Sequence, residues 1–260
     1  MQKGFPMSKW KKINLFLFSV LVIVTTSLVY ILPSMLPSSP SGKPWHLSPS
    51  VHEDSLSQNY LNDYKILDSK SLLRHVALDS LRANVFILVD AWGVPIQESV
   101  LKEDFAYFEN LPHIFALHQR LANRDKHAER VEFRNAPENN IYLFGGDSLE
   151  YNRQNYIAEI GFNRTLFCQK CEDGIMIEKI DSLIKIDSLQ LIAWTTQSSR
   201  SGDRDSLHNS LTLIADFAKK HPDIQIVVQG THRPVLCNSD VRNAYKSHWV
   251  PVAVLNSKIK

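Results

Sequence analysis

The sequence predicts an α/β domain in which a mostly parallel β-sheet is flanked by helices. Short runs rich in β-branched and aromatic residues alternate with longer amphipathic stretches, which is typical of a sheet covered by helices. The runs are apolar almost throughout, as expected for strands buried on both faces of a parallel sheet. They are NVFILVD (84–90), NIYLFGG (140–146), LQLIAWT (189–195), IQIVVQG (224–230) and VPVAVLN (250–256).

Helices are predicted between these strands. Residues 97–124 predict two helices broken near Pro112, and residues 148–160 predict another. Residues 206–220 place their apolar side chains at helical spacing. Residues 54–82 are expected to be helical and to lead into the first strand.

The N-terminal part predicts one transmembrane helix. Residues 13–32 are 20 consecutive residues without a charge, and at about 1.5 Å per residue they match a bilayer core of about 30 Å. Lysines precede this span, which places the N-terminus in the cytoplasm. A cleaved signal peptide is the alternative, although no convincing small-x-small cleavage site follows.

These features divide the chain into four parts and predict where each part lies. Residues 1–12 are the cytoplasmic N-terminus, 13–32 the membrane anchor, and 33–58 a tether rich in proline and serine. Residues 59–260 form the α/β domain. We expect a single-pass protein of the plasma or inner membrane, with the domain outside the cytoplasm.

The charge balance excludes one class of partner. The chain has 29 basic and 27 acidic side chains, and its net charge is +2. Binding along a phosphate backbone needs a concentrated basic surface. No nucleic-acid partner is therefore expected.

The cysteines leave two states open. Cys168 and Cys171 are close enough in sequence to form a small disulfide loop in an oxidising compartment, with Cys237 unpaired. Two free thiols are the other state. A zinc site is not favoured, because a single C-x-x-C lacks the second ligand pair.

Candidate functional residues follow the predicted strands, because ligands of open α/β sheets bind beyond the carboxyl ends of the strands. These residues are Asp90, Gly145-Gly146-Asp147, Thr195-Thr196-Gln197 and Thr231-His232. The chain contains neither a glycine-rich phosphate loop nor a G-x-S-x-G nucleophile motif.

Several segments, taken in order, resemble the sulfatase and alkaline-phosphatase superfamily. Within that superfamily, the segments most resemble the branch of the lipoteichoic-acid synthases and phosphoethanolamine transferases. The resemblance extends over residues 80–256. The segments are NVFILVDAWG (84–93), YLFGGDSLEYNRQNYIAEIGFNRTLF (142–167), LIAWTTQSS (191–199), SLHNSLTLIADFAKK (206–220), IQIVVQGTHRP (224–234) and HWVPVAVLN (248–256).

The resemblance implies a metal site and a hydroxyl nucleophile. Asp90 and His232 would be metal ligands, and Asp147 would be a third if the ligands are rearranged; the ion would be zinc, manganese or magnesium. Ser148 or Thr231 would be the nucleophile if the protein is active.

The sequence also departs from the family pattern. No Ser, Thr or Cys lies between Val100 and Asp147, where the nucleophile is expected. Thr231-His232 stands where the family has an Asp-His pair, and residues 196–200 lack the expected histidine. These departures therefore predict a truncated and degenerate member of the superfamily.

Our leading hypothesis is a membrane-anchored domain that has lost catalysis and acts as a binding or scaffold protein of the cell envelope. Its partner would be a lipid, a glycan or another protein, and no metal cofactor would be required. The alternative is a metal-dependent phosphoryl or sulfuryl transferase or hydrolase that acts on envelope lipid or glycan headgroups.

Each candidate also has a simpler interpretation. Asp90 could cap a turn, Asp147 or Ser148 could cap a helix, and His232 could lie in an ordinary loop. Arg200 and Arg204 could bind an anionic headgroup or belong to a solvated loop. His248 could face the same sheet edge or serve in packing.

Overall fold

The computed structural model describes residues 54–134, 136–146, 160, 162–169, 171–186, 190–197 and 203–257. The predicted anchor 13–32 and the candidates Asp147, Ser148 and Arg200 lie outside these residues. Among the helices of the described part, none has both the length and the apolar character needed to cross a membrane. The anchor stays a prediction.

The described strands form one sheet of eight, in the order β1-β3-β8-β7-β2-β6-β4-β5. Every pairing is parallel except those of β8, which runs antiparallel to β3 and β7. The prediction of a mostly parallel sheet is confirmed. The strands are β1 (Lys65–Leu67), β2 (Asn84–Val89), β3 (His113–Gln119), β4 (Asn140–Gly146), β5 (Arg164–Gln169), β6 (Leu191–Thr195), β7 (Gln225–Gly230) and β8 (Trp249–Leu255).

Helices cover both faces of the sheet. Buried residues of α2, α4 and α5 belong to the apolar cluster on one face, and those of α3 and a 3₁₀ turn belong to the cluster on the other. The helices are α1 (Gln58–Asp63), α2 (Glu98–Ala106), α3 (Asp125–Phe133), α4 (Asp173–Leu183), α5 (Arg204–Lys220) and α6 (Ser239–Asn243), and the 3₁₀ turn is Leu72–Arg74.

The prediction of two helices over residues 97–124 is wrong in its second half. Residues His113–Gln119 form β3, which lies between β1 and β8 in the sheet. Its buried residues Ala116, Leu117 and His118 pair with both neighbours. Sheet pairing on two sides therefore overrides the helical spacing of the apolar residues.

Residues 54–82 are helical only in part. They contain α1, the short strand β1 and the 3₁₀ turn. The strand forms because the exposed edge of β3 offers backbone groups for pairing, and β1 satisfies them. The helix predicted over 206–220 is confirmed, and it begins slightly earlier, at Arg204, after the N-cap Asp203.

The cysteine state that the sequence left open is a disulfide in this structure. Cys168 and Cys171 are bonded, with their Cα atoms 5.5 Å apart. Cys237 is a free thiol. The bond closes the loop between β5 and α4.

Candidate metal centre

The site begins where β2 and β7 end side by side. Val89 of β2 is paired with Gly230 of β7, so the residues that follow each strand reach the same edge of the sheet. Asp90 follows the first strand, and Thr231 and His232 follow the second. The pairing of these two strands thus places a carboxylate beside an imidazole.

The turn after β2 is held by two threonine hydroxyls. The Asp90 amide donates to Thr196 Oγ1 at 3.0 Å, and the Ala91 amide donates to Thr231 Oγ1 at 3.2 Å. Ala91 has a φ of 55°, a left-handed conformation that costs energy for a residue with a Cβ. These contacts fix the direction in which the Asp90 carboxylate leaves the strand.

Thr231 therefore has a structural role in this turn. Its hydroxyl donates to Asp90 Oδ1 at 3.4 Å and accepts from Ala91, and the side chain is fully buried. A hydroxyl held in this way is poorly placed to attack a substrate. Its role as a nucleophile stays a prediction.

A third ligand residue comes from α3. Asp125 is the first residue of this helix, and its Oδ1 lies 3.3 Å from His232 Nε2. Sequence reasoning missed Asp125. The available signal was its position in the interval between Val100 and Asp147, where the resemblance requires a reactive side chain and no serine, threonine or cysteine occurs.

Asp90, Asp125 and His232 converge on one point. Each offers one ligand atom, and these atoms lie within 4.8 Å of one another; His232 Nε2 is 3.6 Å from Asp90 Oδ1. Atoms spaced in this way can all lie about 2–2.5 Å from a common centre, which is the length of metal–ligand bonds. The donor set of two carboxylates and one imidazole suits zinc or manganese.

The tautomer of His232 fits this arrangement. Its Nδ1 lies 2.6 Å from the Arg233 carbonyl oxygen, and because a carbonyl only accepts, Nδ1 carries the proton. Nε2 faces the two carboxylates. Metal-binding histidines characteristically donate their second N–H to a carbonyl or carboxylate in this manner.

The electrostatics of the site explain what holds it together without an ion. Burial lowers the pKa of His232, but the hydrogen bond and charge of Asp125, with the charge of Asp90, outweigh burial and raise that pKa above its ordinary value. The raised pKa favours the protonated imidazole, whose charge offsets the repulsion between the two carboxylates. A divalent cation would offset it more completely.

Arg204 is placed differently from the sequence expectation. Its Nη2 lies 2.7 Å from Oδ1 of Asp104, a fully buried carboxylate that also accepts from Trp92 Nε1 at 3.1 Å. This ion pair ties the start of α5 to α2. Binding of an anion by Arg204 stays a prediction, and the structure gives the residue a structural partner.

His248 does not join the cluster. Its Nδ1 contacts the Asp54 carboxylate, and its amide donates to the same carboxylate at 3.2 Å. Asp54 also accepts from Trp249 Nε1 through its carbonyl oxygen. The structure therefore gives His248 a packing role, which is the simpler of the two interpretations.

A buried polar network lies beneath the site. Arg120 Nη1 contacts Glu132 Oε1 at 2.7 Å, and Gln229 Nε2 donates to the same oxygen at 3.2 Å. Glu132 also accepts from the Leu72 amide at 2.6 Å. Because Glu132 belongs to α3 and Gln229 to β7, the network fixes the helix that carries Asp125 against the strand that leads to His232.

His118 completes this network as a neutral ring. Its Nε2 lies 2.7 Å from the Lys70 carbonyl oxygen, so it donates there, and its Nδ1 accepts from Gln229 Nε2. Burial lowers the pKa of His118, and the positive charge of Arg120 adds to this effect. Protonation of Nδ1 would break the contact with Gln229.

Stability should therefore depend on pH through His118. The unfolded chain takes up a proton at this histidine below about pH 6.5, whereas the folded chain does so only at lower pH. Stability is fully present above pH 6.5 and falls as the pH drops below it. We expect urea unfolding at pH 7.5 and 5.5 to show a loss that is smaller in His118→Gln; an equal loss in both proteins would contradict the assignment.

Comparison with known proteins shows a likeness of fold. No protein-family model matches the chain, and no curated protein sequence matches it. An alkaline phosphatase superfamily protein from Vibrio parahaemolyticus has a TM-score of 0.49 at 12% identity over 70% of this chain. The lipoteichoic acid synthase LtaP from Listeria monocytogenes has 0.47 at 8% over 70%, and the periplasmic domain of EptC from Escherichia coli has 0.46 at 10% over 69%.

The coverage differs between these structures. The chain spans 62% of the first, 69% of LtaP and 74% of the EptC domain. The EptC domain has also been solved in complex with zinc. A member of the superfamily that the sequence resembles is therefore among the solved structures to which this chain is similar.

Proposed function

We propose that this protein binds a divalent metal ion through Asp90, Asp125 and His232 and acts as a metal-dependent hydrolase or transferase of phosphate or sulfate esters. The observation that carries the proposal is the orientation of His232, whose Nε2 faces two carboxylates while its Nδ1 donates to a carbonyl. This proposal follows the alternative that the sequence left open, with Asp125 added as a ligand.

An open coordination position would distinguish a catalytic ion from a purely structural one. Structural zinc sites are usually closed by four protein ligands, whereas catalytic sites keep three and an open position. The described residues supply three. Asp125 is the most exposed of them, with 13% of its side chain accessible, so a substrate would approach from its side.

The reaction class rests on the sequence resemblance. A divalent ion at this site would stabilise the negative charge that develops on a transferred phosphoryl or sulfuryl group. The chain's own contribution would be to orient the substrate and to accept a proton from an attacking water at Asp125. Water in hydrolysis, or an acceptor hydroxyl in transfer, is the proposed nucleophile because Thr231 is buried and bonded to Asp90.

We also propose that residues 13–32 anchor the protein and that the domain faces the cell envelope. The uncharged length of this segment and the lysines before it support the proposal. An envelope lipid or glycan headgroup is the corresponding substrate. Protease treatment of intact spheroplasts tests the topology, since only a domain outside the cytoplasm is digested.

Metal binding should raise the melting temperature of the full-length protein in detergent. At a zinc or manganese concentration 100-fold above Kd we expect an increase of about 5–10 °C, because the ion binds only the native state. The shift should disappear in Asp125→Asn and His232→Gln. The exposed Asp216→Asn is the matched control and should keep the full shift.

Hydrolysis of p-nitrophenyl phosphate, bis(p-nitrophenyl) phosphate and p-nitrophenyl sulfate tests the catalytic part. We expect metal-dependent turnover of at least one ester, reduced about 100-fold or more by Asp125→Asn, since even residues behind the ligands contribute 10- to 100-fold. Turnover that is unchanged in this variant would contradict the proposed site.

A second candidate function is binding without catalysis, as in our leading sequence hypothesis. It is favoured by the absence of Ser, Thr and Cys between Val100 and Asp147 and by the structural role of Thr231. A metal-induced rise in melting temperature without turnover of any of the three esters would select this candidate.

A further inference from the structure

The hydroxyl of Thr231 contacts both the backbone and the side chain of the turn that carries Asp90. Its oxygen accepts from the Ala91 amide at 3.2 Å, and the hydroxyl donates to Asp90 Oδ1 at 3.4 Å. A hydroxyl has a single proton to donate, and within the described part of the chain Asp90 Oδ1 is its acceptor. The first contact holds the turn, and the second holds the carboxylate itself.

The oxygen that Thr231 contacts is the one that faces the imidazole of the site. His232 Nε2 lies 3.6 Å from Asp90 Oδ1, the same atom that accepts from Thr231. The hydroxyl therefore keeps this oxygen on the side of His232, where the ion would bind. Both Thr231 and Asp90 are almost completely buried, so bulk water competes little for this hydrogen bond.

The backbone of Thr231 is fixed by the sheet. The residue directly follows Gly230, the last residue of β7, and its amide donates to the Val89 carbonyl oxygen of β2 at 3.0 Å. This bond extends the pairing of β7 with β2 by one residue. Thr231 thus reaches Asp90 from a held backbone, and the next residue along the chain supplies the imidazole of the site.

We propose that Thr231 is a positioning residue of the metal centre, whose hydroxyl holds the Asp90 carboxylate in the orientation that binds the ion. This inference rests on the proposed function, since it requires a metal ion at Asp90, Asp125 and His232. Groups that hydrogen-bond to a metal ligand contribute about 10- to 100-fold to metal affinity, because a ligand that is already oriented loses less freedom on binding. The role leaves the hydroxyl of Thr231 out of the chemical step.

The zinc affinity of the full-length protein in detergent, measured by competition with a chelating dye, tests the proposal. Thr231→Val removes the hydroxyl and keeps the shape of the side chain, and we expect it to raise Kd about 10- to 100-fold. Thr231→Ser keeps the hydroxyl and should recover most of the lost affinity. An unchanged Kd in Thr231→Val, or no recovery in Thr231→Ser, would overturn the proposal.

A second background separates the contact with the carboxylate from the contact with the turn. Thr231→Val also leaves the Ala91 amide without its acceptor, and Ala91 already has a φ of 55°. Glycine adopts this conformation without strain, so Ala91→Gly/Thr231→Val relieves the turn and keeps the test possible if Thr231→Val alone does not fold. The double variant should bind zinc more weakly than Ala91→Gly. Equal affinity in these two proteins would show that Thr231 acts on the backbone only and would overturn the proposal.

Ser210→Ala is the matched control. Ser210 is also fully buried, and its hydroxyl donates to Asp173 Oδ2, a carboxylate outside the metal centre, at 2.8 Å. Its loss should lower the melting temperature and leave the Kd for zinc unchanged. A similar rise of Kd in Ser210→Ala and Thr231→Val would assign the effect to lost stability and overturn the proposal. A wild type that binds no zinc would contradict the metal centre itself, whereas equal zinc affinity in the wild type and Thr231→Val would contradict only the role of Thr231.

Discussion

Replacing Glu132 with alanine is expected to lower the free energy of unfolding by about 3–5 kcal/mol. The carboxylate is fully buried and pairs with Arg120, a guanidinium that is itself buried. Removing one partner of a buried ion pair leaves the other charge without compensation. Arg120 would then lie in the core with only its weaker contacts, such as the one to the Gly230 carbonyl oxygen at 3.4 Å.

Urea unfolding of the full-length protein measures this loss. Glu103→Ala is the control, since Glu103 is 65% exposed and contacts Arg204 only at 3.7 Å; it should cost less than about 1 kcal/mol. A loss of similar size in both variants would show that Glu132 contributes no more than a surface carboxylate.

Gly230→Ala is expected to destabilise the protein by about 3 kcal/mol or more and to abolish the metal-induced rise in melting temperature. A Cβ at this position would lie 1.8 Å from the Trp92 carbonyl oxygen, so the backbone of the turn after β2 or the end of β7 must move. Because Asp90 and His232 lie on these two segments, the site would lose its geometry.

Gly174→Ala is the control for this substitution. A Cβ at Gly174 meets no atom within 4 Å, and the residue lies in α4, where alanine is favoured over glycine by up to about 1 kcal/mol. We expect unchanged or slightly higher stability and a full metal-induced shift. A wild-type response to zinc in Gly230→Ala would contradict the role assigned to the close approach of Gly230 to the Trp92 carbonyl.

The central strands and the positions of Asp90 and His232 could be predicted from the sequence. Strands buried on both faces have a pattern of continuous apolar residues, and every parallel strand delivers its next residue to the same edge. This rule can be applied to each strand by itself. It places Thr231 and His232 beside Asp90 once β2 and β7 are known to be neighbours.

Asp125 could not be placed by the same reasoning. It is brought to the site by α3, and its position depends on β3, a strand whose apolar spacing is also compatible with a helix. Sheet pairing with β1 and β8 decides between the two, and that pairing is a long-range contact. The roles of Thr196 and Thr231 in the turn depend on such contacts as well.

Anomalous diffraction at the zinc absorption edge, from crystals of the protein grown with zinc, tests the metal centre most directly. We expect a peak at about 2.0–2.2 Å from His232 Nε2 and from one carboxylate oxygen of Asp90 and of Asp125. The peak should be absent from Asp125→Asn crystals grown in the same way. No zinc within bonding distance of these three residues would contradict the proposed site.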